Sequence, residues 1–369
     1  MSVGKVGRIA ISTGGGDAPG LNAVIRAIVL AACQRGWECH GIRDGYNGLL
    51  APDHYPNGGV IPLTRESVSG ITHLGSTILG TTNRGNPTAF PTLQPDGSIL
   101  EVDRTGELVE RFNQAGLDAL ITIGGDGSPS IGYQLACKGL RVVGVPKTID
   151  NDLDRTFMTF GFDTAVSFAT ECLDRLHTTA TSHRRVMVVE VMGRYAGWIA
   201  LHAGIAGNAD VILMPEIPFD IEKVSEYINE RERKGRRYTI VVVAEGARPS
   251  GGERSVLGKA VGQAEKLGGI GDRVAHELEA RTGKEARTVV LGHLLRGGSP
   301  TSFDRLMALR FGAAAVRALD EGQAAVMVAL QPPVVRYEPL KEAVRRMKTV
   351  PLDCDTMDTA RDLGICFGD

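Results

Sequence analysis

The sequence predicts an α/β fold with two Rossmann-like lobes, each built on a mostly parallel sheet that helices cover on both faces. Short runs of Val and Ile alternate with longer segments of helical character. Such continuous apolar runs are typical of parallel strands buried on both faces. Glycine makes up 47 of 369 residues, well above the roughly 7% of average proteins, and it clusters where the predicted strands end. The backbone can therefore approach a ligand closely at those ends.

The elements alternate in order along the chain. The apolar, β-branched segments that predict strands are "GRIAIST", "DALITIGG", "RVVGVP", "RVMVVEV", "ADVILMP", "RYTIVVVAE" and "TVVLG". The segments that predict helices are "LNAVIRAIVLAACQRG", "PSIGYQLACKG", "TAVSFATECLDRLHTTATSH", "DIEKVSEYINERERKG" and "SFDRLMALRFGAAAVRAL". We expect the last 25 or so residues to be irregular, with one weak helical stretch.

Composition excludes several classes of protein. The net charge of −2 argues against a general electrostatic hold on nucleic acid. No apolar run approaches the roughly 18 residues that a membrane span needs, and the N-terminal segment lacks the long apolar region of a signal peptide. The six cysteines are scattered without C-x-x-C spacing, which favours reduced thiols. We expect a cytoplasmic protein that binds neither nucleic acid nor membranes.

Two glycine-rich clusters follow predicted strands, where open α/β sheets bind their ligands. In "GGGDAPGLN" (residues 14–22), free N–H groups and a helix dipole can hold a phosphate. This stretch matches neither the dinucleotide fingerprint nor the P-loop, so a tight turn is an equally good interpretation. In "GGDGS" (residues 124–128), Asp126 is either a turn residue or a ligand for Mg²⁺ beside a phosphate.

The stretch "PKTIDND" combines Lys147, Thr148, Asp150 and Asp152 after a third strand. One interpretation is a solvated turn rich in Asp and Asn. The other is a phosphoryl-transfer site, in which Asp150 accepts a proton from the acceptor hydroxyl and Lys147 neutralises phosphate. Thr148 and Asp152 can orient the acceptor and a metal in such a site.

Further loops carry arginine, whose planar fork matches a phosphate group. They contain Arg84, Arg184, Arg185, Arg194, Arg287 and Arg296. Each of these arginines alone is more often solvated, but together they suggest an acceptor that itself carries a phosphate. Glu245 ends a strand and can accept hydrogen bonds from sugar hydroxyls, and Tyr46 in "DGYNGL" is a candidate nucleotide contact.

Seven motifs together resemble the phosphofructokinase family in order and spacing, over about residues 7–335. They are "GGGDAPGLNAVIR", "DGYNGL", "IGGDGS", "PKTIDND", "VEVMGRYAGWIAL", "AEGA" and "VLGHLLRGGSPTSFDR". The resemblance implies two α/β lobes with the active site in the cleft, and Mg²⁺-dependent transfer of a phosphoryl group to the 1-hydroxyl of fructose 6-phosphate. It also implies a homodimer or homotetramer with sites shared between subunits.

The resemblance implies a role for each matching residue. Gly16, Tyr46 and the turn of Gly125, Asp126, Gly127 and Ser128 would hold ATP, with Asp126 binding Mg²⁺. Asp150 would be the base beside Thr148 and Asp152, and Arg84 would stabilise the transferring group. The residues expected to bind fructose 6-phosphate are Met192, Gly193, Arg194, Glu245, His293 and Arg296, with Arg185 and Arg287 reaching a neighbouring subunit's site.

The resemblance also suggests how the chain is divided between the lobes. Residues 1–161 with about 295–345 would form the donor lobe, and residues 162–294 with about 346–369 the sugar-phosphate lobe. Two arginines one helical turn apart accompany the response to ADP and phosphoenolpyruvate in regulated bacterial members of the family. This chain has Arg26 but Leu30 at the second position, so we expect a weak or absent response.

Two positions bear on the identity of the phosphoryl donor, and they favour different donors. Lys147 resembles the pyrophosphate-dependent branch, whereas Gly127 replaces the Asp of that branch. A carboxylate at position 127 would crowd and repel the α-phosphate of a nucleotide, so the pairing favours ATP and resembles the mixed-substrate branch. The alternatives are a pyrophosphate-dependent phosphotransferase, an NAD-kinase-like protein and a non-catalytic subunit. The arginine clusters and the intact Asp126, Asp150 and Arg185 argue against the last two.

Overall fold

The computed structural model describes residues 6–82, 85–258 and 266–369. Its strands are β1 Arg8–Thr13, β2 Glu38–Ile42, β3 Val60–Leu63, β4 Phe90–Leu93, β5 Ile99–Val102, β6 Ala119–Gly124, β7 Val142–Pro146, β8 Val186–Val191, β9 Val211–Leu213, β10 Thr239–Ala244, β11 Val256–Gly258, β12 Lys266–Leu267, β13 Ala286–Val290, β14 Val326–Gln331 and β15 Val334–Pro339. Its helices are α1 Leu21–Cys33, α2 Asn47–Leu50, α3 Thr105–Gln114, α4 Gly127–Cys137, α5 Phe162–His183, α6 Trp198–Ala206, α7 Ile221–Arg233, α8 Ile270–Thr282, α9 Ser302–Asp320, α10 Leu340–Ala343 and α11 Asp355–Asp362.

Two sheets organise the described residues. The larger has the order β15-β14-β7-β6-β1-β2-β3, and only its edge strands β3 and β15 run antiparallel to their neighbours. The second has the order β13-β8-β10-β9 and is entirely parallel. Two separate hairpin pairs, β4-β5 and β11-β12, lie outside these sheets.

Side chains alternate between the two faces of each sheet and form a core on both. In β1, Ile9 and Ile11 pack in a cluster with residues of α1 and α9, whereas Ala10 packs on the opposite face with residues of α3 and α4. In β8, Val189 packs with residues of α5 and α6, and Val188 with residues of α7 and α8. Burial on both faces explains the continuous apolar runs in the sequence, and the predicted fold class is confirmed.

Each of the two sheets takes its strands from separate parts of the chain. The larger sheet takes its strands from residues 8–146 and 326–339, and the second from residues 186–290. The lobe boundaries stay a prediction that agrees with this distribution. In the C-terminal part, α11 is the one sizeable helix after residue 345. No helix among the described residues is long and apolar enough to cross a membrane.

Candidate active site

Three loops converge at the carboxyl edge of the larger sheet because β7, β6 and β1 are neighbours. Gly14–Gly16 follow β1, Gly125–Ser128 follow β6, and Lys147 and Thr148 follow β7. The Gly14 N–H donates to the Ile123 carbonyl at 2.9 Å, and the Lys147 N–H donates to the Gly124 carbonyl at 3.0 Å. These backbone bonds hold the ends of the three loops in register, so their glycine-rich backbones line one surface.

Lys147 uses its ammonium group to hold the first of these loops. The side chain is buried, and Nζ donates to the carbonyl oxygens of Gly14, at 3.1 Å, and Gly16. Burial lowers the pKa of Lys147 to about 8, and the Arg296 guanidinium acts in the same direction. The Lys147 ammonium therefore orders the Gly14–Gly16 loop, and its contact with phosphate stays a prediction.

Asp126 and Gly127 begin α4 and are exposed. The Asp126 carboxylate makes no cap hydrogen bond in its own helix. No group of three or more His, Cys, Asp or Glu side chains that could hold a metal occurs in the described part of the chain. The exposed Asp126 carboxylate fits Mg²⁺, which is commonly held by one or two carboxylates together with substrate phosphates. A Cβ built on Gly127 would meet no atom within 4 Å, so the space beside this residue is open.

Asp150 and Asp152 lie on a loop whose backbone is tightly fixed. Between them, Asn151 adopts the left-handed conformation with φ 51° and is 3% exposed. The Thr148 hydroxyl accepts the Asp150 N–H at 3.1 Å, and its carbonyl accepts the Thr159 hydroxyl at 2.7 Å. The loop is therefore ordered by internal hydrogen bonds and is not a solvated turn.

Both carboxyl groups of this loop are buried and have raised pKa values. The Oδ1 atoms of Asp150 and Asp152 are buried and have no hydrogen-bond partner among the described residues. Burial raises the pKa of Asp150 to about 6, against the lowering effect of Arg296, and Glu245 adds to the rise. Burial also raises the pKa of Asp152 to about 7, helped by the Asp150 and Asp126 charges. A carboxylate with a raised pKa in a cleft is a candidate general base.

The carboxyl edge of the second sheet supplies charged side chains. Met192, Gly193 and Arg194 follow β8, and Glu245 follows β10. The Glu245 N–H donates to the Val191 carbonyl at 2.9 Å, which ties the two loops together. Arg194 Nη1 is buried and unpaired within the described part of the chain. Burial raises the pKa of Glu245, and the Arg194 charge opposes this rise.

A short helical turn, Gly292–Arg296, brings the two edges together. It carries the exposed His293 and ends at Arg296, whose Nη1 donates to the Asp17 carbonyl at 3.4 Å. A Cβ on Gly16 would overlap the Arg296 guanidinium, so only glycine allows this approach. Arg296, Arg194, Glu245 and Asp126 all influence the pKa of Asp150, so its carboxyl group is within electrostatic range of both sets of loops.

Three predicted site residues do not join this cluster. Arg185 precedes β8 and Arg287 is in β13, so both lie at the amino ends of strands, roughly 20 Å from Met192 at about 3.3 Å per residue. Arg185 pairs with Glu285 at 2.5 Å, and Arg287 pairs with the same carboxylate. Tyr46 is 6% exposed, and its hydroxyl lies 3.1 Å from Thr122 Oγ1, so little of it is available to a nucleotide. Arg84 lies outside the described residues.

The structure also adds a residue that no motif singled out. Lys348, from the C-terminal part of the chain, donates its ammonium to the Phe157 carbonyl at 2.6 Å, in the continuation of the Asp150 loop. A single lysine in a segment without a glycine cluster or strand pattern gives no local signal. Only its position in the fold identifies it.

Comparison with known proteins identifies the family. The model of the phosphofructokinase family matches residues 8–319. The chain belongs to the phosphofructokinase family. It is 52% identical over 365 residues to the ATP-dependent 6-phosphofructokinase of Chloroflexus aggregans, covering 99% of each chain. It is also 49% identical over 350 residues to the pyrophosphate–fructose 6-phosphate 1-phosphotransferase of Amycolatopsis mediterranei, covering 94% of this chain and 97% of that one.

A solved phosphofructokinase has the same architecture. The T-state structure of Pichia pastoris phosphofructokinase aligns with a TM-score of 0.79 at 29% identity, covering 98% of this chain. That yeast chain is much longer, and the present chain spans 36% of it. The two-sheet arrangement described above is thus a phosphofructokinase fold.

Proposed function

We propose that this phosphofructokinase family member transfers the γ-phosphoryl group of MgATP to the 1-hydroxyl of fructose 6-phosphate, giving fructose 1,6-bisphosphate. The observation that carries the proposal is the position of Asp150. Its carboxyl group is within electrostatic range of Asp126 on the glycine-rich side and of Arg194, Glu245 and Arg296 on the other. The names of the relatives from Chloroflexus and Clostridium perfringens, both ATP-dependent 6-phosphofructokinases, support this reaction.

The donor would lie on the glycine-rich loops of the larger sheet. Gly16 and Gly125–Ser128 offer backbone N–H groups and the N-terminus of α4 to its phosphates. Asp126 would hold Mg²⁺, which when bound neutralises charge on the donor phosphates. We also assign Arg84 to the transferring group, on the strength of the family motif.

Asp150 would act as the general base in the transfer. Its carboxylate accepts the proton of the 1-hydroxyl while that oxygen forms a bond to the γ-phosphorus and the bond from the γ-phosphorus to the leaving ADP oxygen breaks. The pKa of about 6 keeps Asp150 ionised at neutral pH and still basic enough to accept the proton. Thr148 holds the loop, and Asp152 provides a second buried carboxyl group beside the base.

Fructose 6-phosphate would bind to the second set of loops. The unpaired Nη1 of Arg194 and the guanidinium of Arg296 suit a phosphate, and Glu245 suits sugar hydroxyls. Met192, Gly193 and His293 complete this side. Arg185 and Arg287 lie too far away to serve the same site, so we propose that they complete the site of a neighbouring subunit in a homodimer or homotetramer. We also propose a cytoplasmic location, where these substrates are found.

The geometry favours ATP over pyrophosphate as the donor. The open space beside Gly127 leaves room for the rest of a nucleotide. The Lys147 ammonium already binds the Gly14 and Gly16 carbonyls, so its presence does not require a pyrophosphate ligand. Pyrophosphate is the second candidate donor, because Lys147 resembles that branch and the Amycolatopsis relative is named for it.

The deciding experiment offers the purified protein fructose 6-phosphate and Mg²⁺ with either ATP or pyrophosphate. Formation of fructose 1,6-bisphosphate is measured with an aldolase-coupled assay. We expect turnover with ATP and little with pyrophosphate. Turnover with pyrophosphate alone would reverse the donor assignment but keep the acceptor, and no turnover with either donor would overturn the proposed reaction.

A further inference from the structure

A C-terminal segment, Arg346–Val350, lies along the loop that carries Asp150 and Asp152. The Lys348 N–H donates to the Asp152 carbonyl at 2.8 Å, and Met347 forms an isolated antiparallel bridge with Leu153. The segment therefore adds a short backbone pairing to the base loop, about 200 residues away in sequence. We call this segment the C-terminal brace.

The Lys348 side chain extends this contact along the loop. Its ammonium donates to the carbonyls of Phe157, at 2.6 Å, and Thr156, at 3.1 Å, and to Asn151 Oδ1 at 3.3 Å. Asn151 Oδ1 also accepts the Thr159 N–H at 3.2 Å. Asn151 stands in the left-handed conformation between the two aspartates, so these hydrogen bonds anchor the backbone that joins them.

The same brace contacts the loop of the second sheet. The Trp198 indole N–H donates to the Lys348 carbonyl at 3.0 Å, and the Lys348 ammonium lies 5.2 Å from the Trp198 ring centroid. Glu216 Oε1 accepts both the Val350 N–H, at 2.9 Å, and the Gly197 N–H, at 3.0 Å. Gly197 and Trp198 come three and four residues after Arg194, at the start of α6, so the brace connects the base side of the site to the sugar side.

We propose that Lys348 is a positioning residue, which holds the loop of Asp150 and Asp152 at a fixed distance from the Met192–Arg194 loop. It contacts no reacting atom. Its contribution is to keep the carboxylate of the base aligned with an acceptor held by the other loop, and small misplacements of this kind are costly in catalysis. The kinetic part of this inference rests on the proposed function.

The first test compares Lys348→Met, which removes the ammonium but keeps the stem, with Arg345→Met as a matched control. Arg345 is a neighbouring cation whose side chain is 76% exposed. We expect Lys348→Met to lower kcat by about 10- to 100-fold while KM for fructose 6-phosphate changes less than about threefold. Lys348→Arg should recover part of kcat because it restores donors to the same carbonyls, and Arg345→Met should match the wild type.

The second measurement needs no activity. Hydrogen–deuterium exchange of peptides covering residues 148–159 should be faster in Lys348→Met than in the wild type and in Arg345→Met. Unchanged exchange together with unchanged kcat would overturn the proposal. A parallel loss of kcat and rise in KM, without recovery by Lys348→Arg, would show general damage to the fold and would overturn it as well. If the wild type itself lacks the kinase reaction, the proposed function fails, and exchange alone decides the positioning role.

A milder variant covers the case in which Lys348→Met does not fold. Trp198→Phe keeps the ring beside the ammonium and removes only the indole donor to the Lys348 carbonyl. We expect it to lower kcat about two- to fivefold, as the loss of one neutral hydrogen bond implies, with faster exchange in the same peptides. Wild-type values of both kcat and exchange would count against the brace.

Discussion

The two sides of the candidate active site differ in the residues that line them. The side formed by the larger sheet consists mainly of glycine and backbone, and Lys147, a buried cation on this side, binds the Gly14 and Gly16 carbonyls. The side formed by the second sheet consists of charged side chains, including the partly buried Glu245 and Arg194, whose Nη1 has no hydrogen-bond partner among the described residues. Asp150 is within electrostatic range of both sides.

This difference predicts how each side discriminates. A backbone-lined surface selects by space and by N–H direction, so a new side chain there excludes a donor. A surface of charged side chains selects by pairing, so the loss of one side chain leaves an unpaired group on the ligand. Substitutions on the first side should therefore change donor kinetics, those on the second should change acceptor affinity, and those between them should change kcat.

The largest effect is expected between the two sides. Asp150→Asn keeps the shape of the base but cannot accept the proton, so kcat should fall by about 100- to 10,000-fold with little change in either KM. The control is Asp96→Asn, because Asp96 lies in the exposed turn between β4 and β5, where its carboxylate accepts the Ser98 N–H at 2.9 Å. Turnover of Asp150→Asn within tenfold of the wild type would remove Asp150 from the role of base.

The next effect tests the donor side. Gly127→Asp places a carboxylate where a Cβ meets no atom within 4 Å, so the fold is kept. Repulsion from nucleotide phosphates at about 5 Å costs on the order of 2–3 kcal/mol, which lowers kcat/KM for ATP by roughly 30- to 150-fold. Gly127→Ala is the uncharged control and should be much milder. An equally large rise in KM for fructose 6-phosphate would contradict the assignment of this side to the donor.

A somewhat smaller effect tests the acceptor side. Arg194→Met removes a charge-assisted partner of the sugar phosphate, so KM for fructose 6-phosphate should rise by about 10- to 100-fold, with KM for ATP nearly unchanged. Arg194→Lys keeps the charge without the planar fork, so its KM for fructose 6-phosphate should lie between those of the wild type and Arg194→Met. If ATP kinetics changed instead, the assignment of the two sides would be reversed.

The pH dependence sharpens the position of the base. Burial raises the pKa of Asp150 to about 6, so its basic form is lost as the pH falls through that value. The rate should therefore drop about tenfold for each pH unit below the pKa, while remaining near its maximum above pH 7. The profile of kcat/KM from pH 4.5 to 8 measures this limb, and a flat profile between pH 5 and 7 would contradict it.

The smallest effect concerns regulation. Arg26 is present in α1, but Leu30 occupies the position one turn later, so one of two cations expected for effector phosphates is absent. We expect less than a twofold change of activity with ADP or phosphoenolpyruvate at subsaturating fructose 6-phosphate. A strong activation curve with ADP would show that other residues supply the missing charge.

Local patterns predicted most of the central strands and missed others. Every residue of β6, β8 and β10 is buried, as is every residue of β1 except its first. Each of these strands was predicted from its Val and Ile content. The exposed hairpin β4-β5 and the edge strands β3 and β15 have only short apolar runs, interrupted by Pro or polar residues, and were missed. The buried β14 was also missed, because its Ala and Met residues suit a helix equally well.

The family, the glycine-rich loops and the acidic stretch around Asp150 could be identified from the sequence, because these features are contiguous motifs. Which groups they contact follows from the three-dimensional fold. Lys147 holds carbonyls more than 130 residues away, Arg296 crosses to Asp17 over 279 residues, and Lys348 returns to Phe157 over 191 residues. Contacts of this range depend on how strands and loops are placed in space, and no local pattern of residues carries that information.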